Sequence, residues 1–307
     1  MHILRRCVVS TGLVLVVATT AATGQSPHTI RLTRPVTVGH SFHLRATGSM
    51  DVATTTVTAG RPENAETVKL SANFDAVGRV IKVDDVGRPI GIAYTVNECK
   101  MKRHGYTSTI IPPGATLIAR QGRTQTKFFV KKKHFTELEQ FALETVAGID
   151  VYLVTEDEMF GTDHPRNVGD QWPINSDAVA MEFQRYTPQK VEPGNIIGST
   201  AFLELIDFAG QRCQVLRTEF NSVGALPGFE QMPRGTRLKS ADIKVTTYQL
   251  LPVDTQQPCS ADKVRVELDI VFWGMVGGRR VEGRAKGAIE SEHTFSAITE
   301  AQARVEP

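Results

Sequence analysis

The stretch "KVRVELDIVFW", Lys263 to Trp273, decides how the rest of this 307-residue chain is read. Val264, Val266, Leu268, Ile270 and Phe272 are apolar, and the residues between them include Arg265, Glu267 and Asp269. A period of two puts the apolar set on one side of a β-strand and the charged set on the other. Coiled into a helix, the same residues would scatter, and Arg265 would stack beside Leu268. The stretch therefore predicts a strand with one face in a core and one in water. It runs into "GMVGGRR", where Gly277-Gly278 suits the positive φ angles of a tight hairpin. The return strand, Arg280 to about Phe295, carries Gly283, Ala285 and Gly287, a small-residue series that points to a bend or a close backbone approach.

The same alternation recurs along the chain. It predicts strands at Phe42–Val57, Thr67–Val77, Arg79–Asp84, Ile90–Val96, Lys127–Val130 and Val151–Val154. The second half adds Val179–Tyr186, Ser199–Phe208, Gln211–Phe220 and Asp242–Leu251. One segment breaks the pattern. In "HFTELEQFALETVAG", Phe135, Leu138, Phe141, Ala142 and Val146 share a helical face, Thr136 and Glu139 form a capping box, and Gly148 closes the segment. The expected fold is mostly β: a long, curved antiparallel sheet, half-barrel or barrel-like, with one amphipathic helix on it.

Two passages read alike. Val38-Gly39-His40-Ser41-Phe42 and Val168-Gly169-Asp170-Gln171-Trp172 share Val-Gly, two polar residues and a large aromatic. Each is followed by a strand, a polar gap and a glycine that comes after two apolar residues and before a long polar one, Gly78 in "LSANFDAVGRVIKV" and Gly210 in "FLELIDFAGQRCQVL", which predicts a hairpin in both places. An internal duplication of segments 36–158 and 166–298 would account for this, as would convergence on common turn residues. Either way residues 25–307 are expected to form a single β-rich domain.

Residues 1–24 have the build of an export leader: a basic head with Arg5 and Arg6, an apolar middle, and the small triplet Ala22-Thr23-Gly24. Ser10, Thr11, Thr19, Thr20 and Thr23 dilute that middle below the roughly 20 apolar residues of a span. Arg5-Arg6-Cys7-Val8-Val9 loosely fits a twin-arginine signal. The mature chain is thus expected outside the cytoplasm, in the periplasm or beyond, with no transmembrane span. Without Arg5 and Arg6, 33 basic side chains face 33 acidic ones. Such a chain has no long-range field to gather a phosphate backbone, so nucleic acid is not an expected partner. Of Cys99, Cys213 and Cys259, the last two are the first pair to try as a disulfide.

Chemistry is hard to find. No G-x-S-x-G, H-E-x-x-H, phosphate-cradling loop or dinucleotide fingerprint occurs, which leaves a hydrolase only as a third-ranked class without a motif. Glu156, Asp157, Glu158, Asp163 and His164 offer ligand atoms, but their spacing matches no metal pattern, and a solvated charge run is the simpler reading. No metal, cofactor or catalytic residue is expected. "KFFVKKKH", Lys127 to His134, reads as a lysine-guarded strand edge more readily than as an anionic-lipid contact. The long stretch Asn221–Arg237 carries Leu226 and Phe229 among three glycines and two prolines, the composition of a lid or a plug.

Through Val168-Gly169-Asp170-Gln171-Trp172 the chain resembles uncharacterised secreted bacterial β-rich proteins with a Val-Gly-Asp/Glu-x-Trp motif. More distantly, it resembles the half-barrel lipoprotein carriers of the bacterial envelope. That resemblance implies a curved sheet around a greasy cavity lidded by helices, and hence non-enzymatic binding of a lipid or acyl chain. Val264, Val266, Leu268, Ile270 and Phe272 would line the cavity, with Trp172, Leu226 and Phe229 at its mouth. The alternative partner is another envelope protein, met by a module with a solid core.

Overall fold

The structure, a computed structural model, describes residues 26–58, 61–123, 125–149, 153–185, 190–224, 237–276 and 279–298. The leader, Gly277-Gly278, and Leu226 and Phe229 lie outside these residues.

Twelve strands form one antiparallel sheet. In chain order they are β1 (Ser41–Thr58), β2 (Arg61–Val83), β3 (Pro89–Arg103), β4 (Tyr106–Thr109), β5 (Thr116–Gln121), β6 (Thr126–Phe129), β7 (Gln171–Pro173), β8 (Ile196–Phe208), β9 (Gln211–Val223), β10 (Arg237–Pro252), β11 (Ala261–Val276) and β12 (Arg279–Ala297). Across the sheet the order is β6-β5-β3-β2-β1-β12-β11-β10-β9-β8-β7, with β4 paired to β3 off this path. The sheet is open: β6 and β7 are its two margins.

The Lys263–Trp273 stretch lies within β11, and its register fixes the two faces. Val266 stands opposite Val245 on β10 and Ile289 on β12, and Leu268 opposite Ile243 and Gly287. Continued strand by strand, this inner face takes in Leu44, Ala46, Phe74, Tyr94 and Leu117 on one flank and Phe202, Leu216 and Phe220 on the other. The outer face is a lattice of ion pairs, including Arg284 and Lys286 to Asp269, Lys263 to Glu292, and Arg265 to Glu267 and Glu290. Each such surface pair contributes little, on the order of 0.2–1 kcal/mol, but together they keep a wide sheet face soluble.

The amphipathic helix α1 (Glu137–Ala147) forms as the sequence requires, with Thr136 and Glu139 completing the capping box. It leaves β6 and lies over β2, β1 and β12, with Leu143 and Val146 fully buried. Gly48 makes room for it, since a Cβ there would sit 2.7 Å from Thr145 Cγ2. Thr126 anchors it to β6: the Glu144 carboxylate accepts the Thr126 N–H at 3.0 Å and hydroxyl at 2.9 Å.

Two further helices were not expected. The acidic run in "TEDEMF" forms α2 (Glu156–Phe160), capped by Thr155 with Glu158 in a second capping box. The strand expected over Val179–Tyr186 is α3 (Ser176–Gln184), capped by Asn175, whose side chain accepts from the Ala178 N–H at 3.2 Å. The expected strand Val151–Val154 does not form where it is described, since Leu153 and Val154 lie in a bend. The Glu182 carboxylate accepts their N–H groups at 2.6 and 3.3 Å. The sheet's curvature shows in one contact: Arg185, at the end of α3 beside β8, donates to the Arg123 carbonyl between β5 and β6 at 2.6 Å. Those elements lie near opposite margins of the sheet and can meet only if it curls.

The two Val-Gly passages build the same turn. His40 N–H donates to Thr37 O and Asp170 N–H to Asn167 O, both at 3.0 Å, with Gly39 at φ 92° and Gly169 at φ 94°. Gly39 N–H donates to Val80 O and Gly169 N–H to Phe202 O at 2.8 Å; Val80 and Phe202 return the bond to His40 and Asp170 at 2.9 Å. The second shared landmark does not coincide. Ala209-Gly210 turns between β8 and β9, whereas Gly78 lies inside the continuous β2, so the two strands expected there are one. Gly78 is needed for contact rather than for a turn, because a Cβ would fall 2.6 Å from Phe42 Cζ.

Candidate functional site: the helix-free part of the inner face

Three of the molecule's apolar clusters include residues from outside the sheet. One holds Ala142, Leu143 and Val146 of α1, a second holds Val179 and Phe183 of α3, and the third holds Ile30 and Leu32 of the N-terminal segment. The fourth is built, among the described residues, from strands alone. Its floor is Ala241, Ile243, Leu268, Ile270 and Ala285, all buried; its rim is Val52, Leu238, Val245, Val266, Phe272 and Ile289, all half-buried. These residues come from β1, β10, β11 and β12 and lie on the inner face.

Small residues shape the surface. The Phe272 ring lies against Gly283, where a Cβ would be 2.3 Å from Phe272 Cζ. At Gly287 a Cβ would lie 2.0 Å from the Asp51 carbonyl oxygen, so only glycine lets β1 and β12 coil this tightly. The small-residue series on β12 thus marks a close backbone approach, as the sequence indicates.

The border between this surface and the helix-covered flank is polar. His293 on β12 has Nδ1 2.7 Å from Asp262 Oδ1 and Nε2 3.2 Å from the Thr145 carbonyl in the last turn of α1. A helix C-terminus carries partial negative charge on its unpaired carbonyls, so an imidazole N–H aimed there is favourable. Sequence reasoning passed over His293 and Asp262, whose pairing arises only from the β11–β12 register.

Of the expected lining residues, Leu268 and Ile270 are on the floor, Val266 and Phe272 on the rim, and Val264 is half-buried farther along the same face of β11. Trp172 is elsewhere. It is buried with Ile30, Leu32, Phe202, Leu216 and Leu251, its Nε1–H donates to the Phe160 carbonyl at 2.9 Å, and Arg166 lies 5.3 Å from its ring centroid. The expected place at a mouth is therefore corrected to a packed core beneath the N-terminal segment. Leu238, Val245, Val52 and Ile289 were missed, although period-two alternation runs through Ala241, Ile243 and Val245 in sequence.

The expected Cys213–Cys259 disulfide does not form, and Cys99, Cys213 and Cys259 are free thiols. Ser260 rather than Cys259 faces Cys213, with Sγ and Oγ 3.9 Å apart, while Cys259 Sγ is directed to the Ala261 carbonyl at 3.2 Å. Burial pushes the Cys99 thiol up to about 12 and raises Cys213 and Cys259 as well, the last with help from Asp262 and Glu156. Protonated thiols are poor nucleophiles. Among the described residues, no group of three or more His, Cys, Asp or Glu side chains is placed to hold a metal ion, and no helix is long and apolar enough to cross a membrane.

No protein-family model matches the chain, and no curated protein matches it. Among solved structures, a LolA superfamily protein from Nitrosomonas europaea aligns over 87% of this chain and 90% of its own, at 8% identity and a TM-score of 0.14. A DUF1329 family protein from Desulfovibrio piger aligns over 82% and 83%, at 8% identity and a TM-score of 0.16. An outer membrane channel from Pseudomonas putida aligns over 86% and 97%, at 8% identity and a TM-score of 0.19. Likenesses this distant carry no functional argument, which has to come from the residues of this chain.

Proposed function

We propose that this chain is an exported envelope protein that binds a hydrophobic molecule, a lipid or acyl chain, on the inner face of β1, β10, β11 and β12. The observation that carries the reading is the strand-only apolar cluster. Elsewhere the inner face is covered by a helix or the N-terminal segment, and here no described element is added. Half-buried aliphatic and aromatic side chains on a rigid curved surface suit a flexible alkyl chain, and each methylene removed from water contributes roughly 0.8 kcal/mol. Binding needs no covalent step. The polar border at His293 and Asp262 supports a ligand with a polar end, held where the apolar surface stops.

The test is chemical. Purified protein is extracted with organic solvent and the extract analysed for lipid, and the stripped protein is titrated with a fluorescent acyl probe. Co-purified lipid and saturable probe displacement are expected; a clean extract with no probe binding would refute the reading. A second reading, docking of another envelope protein, has one observation in its favour. β3 ends at Arg103 opposite Leu70, so among the described residues β2 from Arg61 to Lys69 is hydrogen-bonded to β1 and has no β3 partner on its other side. Such an edge accepts an added strand. Cross-linking in intact cells from a residue on that edge, Lys69, tests it.

A further inference from the structure

On the outer face of β10, β11 and β12, cations are matched to carboxylates: Lys239 to Glu282 at 3.0 Å, Lys244 to Glu219 at 3.3 Å, Lys263 to Glu292 at 3.7 Å and Lys286 to Asp269 at 3.5 Å. At one end this rule stops. Arg237 and Arg280 are exposed and, among the described residues, neither has a carboxylate within ion-pair distance. Both instead lie over Trp273, with guanidinium carbons 5.4 and 4.9 Å from its ring centroid. An indole holds an Arg in place through its ring face and uses none of the guanidinium N–H donors, which stay free for oxygen acceptors. On the other side of the same strand ends, next in sequence to Arg237 and Trp273, are Leu238 and Phe272 of the apolar rim.

We propose that this end of β10–β12, formed by Arg237, Trp273 and Arg280 with Leu238 and Phe272 behind them, docks on the headgroup layer of an anionic lipid bilayer. The pairing of chemistries selects the partner. Anionic phosphates match the two uncompensated arginines, and indole is the side chain favoured at the boundary between headgroups and acyl chains. Leu238 and Phe272 would meet the acyl region just inside that boundary. An acidic protein would neutralise the arginines equally well but would leave the apolar side of the strand ends unused. Docking here is independent of what the inner face binds; the two would meet if a ligand passed between bilayer and sheet along Phe272.

The experiment uses the full mature chain and vesicle flotation, with phosphatidylcholine alone or mixed with phosphatidylglycerol, at low and high salt. Flotation with the mixed vesicles only, weakened by salt, is expected. Arg237→Gln with Arg280→Gln should reduce partition about 30-fold, taking each cation near an anionic surface at its usual contribution. Arg237→Lys with Arg280→Lys should retain most of the binding, and unchanged circular dichroism should show that both variants fold. Trp273 emission should shift to the blue and be quenched by bromine-labelled lipid, with Trp273→Phe removing the change and leaving the signal of buried Trp172. Absent flotation, equal flotation with neutral vesicles, or undiminished flotation of the Gln variant would overturn the proposal, as would preference for poly-glutamate over vesicles. Acyl-probe titration of the same samples separates the two readings: probe binding without flotation sinks docking alone, and flotation without probe binding sinks the ligand reading alone.

Discussion

Strand β1 crosses two environments. From Phe42 to Gly48 its inner side chains lie in the cluster that α1 covers; at Val52, among the described residues, they join a cluster of neighbouring strands alone. Apolar and polar residues alternate from Phe42 through Val52, across the boundary, because period two reports which side of a strand is dry and says nothing about what makes it dry; from Ala53 to Thr58 the alternation lapses. The first stretch is a core in the ordinary sense, closed by a helix. The second is, among the described residues, built from strands alone, with its floor buried and its rim half-buried.

Substitutions should separate the two environments, and the largest effect belongs to the covered one. Phe74 is 2% exposed and meets Tyr94 edge-on at 5.3 Å. Phe74→Ala should cost about 3–5 kcal/mol in a denaturant titration, with a cavity left behind. Gly48→Val attacks the seat of the helix. Overpacking against Thr145 should cost about 1–3 kcal/mol and speed hydrogen exchange in α1 more than in β11. Loss of the cap in Thr136→Ala should cost about 1 kcal/mol and fray the same helix.

On the other side of the comparison stability and binding should part. Ile289→Ala on the half-buried rim should lower acyl-probe affinity about 5-fold through lost apolar contact, with a smaller change in the melting curve than Phe74→Ala. A stability loss as large as that of Phe74→Ala, with no change in probe affinity, would mean that the rim is core after all. The smallest effect is acid-dependent. Burial alone would raise the Asp84 carboxyl, but hydrogen bonds from Arg88, through its side chain and its N–H, and from the Val86 N–H hold it below its usual range. A carboxyl depressed in the folded state adds stability that is complete above its unfolded value of about 3.9 and fades as pH falls through the folded one. Asp84→Asn should therefore lower stability near neutrality, where the ionised carboxylate contributes in full, and change little in acid, so that the acid limb of the stability profile flattens.

Much of the sheet was legible because Val, Ile, Phe and Leu alternate with charged residues over long runs, and a one-residue slip would expose the whole set. The helix α1 was legible for the same reason at a different period, strengthened by its cap. What failed was short or context-dependent. α3 is only nine residues long, and Val179, Met181 and Phe183 mimic a strand; its signal was Asn175 as a cap after Pro173. α2 announced itself through Thr155 and Glu158, a capping box hidden in what looked like a run of acids. Gly78 was read as a turn because a glycine that yields to an aromatic ring cannot be told, in sequence, from one that yields to a backbone reversal. The candidate surface was half legible: β11 displayed its own side chains, but Leu238, Val52 and Ile289 join it only through pairings that no local pattern contains.

The last of the described strands, β12, is not at a margin. It lies between β1 and β11, with Ala297 opposite Phe42 and Val276 opposite Arg279. Without it the sheet divides into two fragments, β6 to β1 and β11 to β7, with unpaired hydrogen-bonding edges at β1 and β11. Pairings spanning so much of the chain close slowly, and a chain cut near residue 280 would lose the strand that seams the sheet, keeping between its two flanks only contacts such as Arg34 to the Pro252 carbonyl and Arg185 to the Arg123 carbonyl.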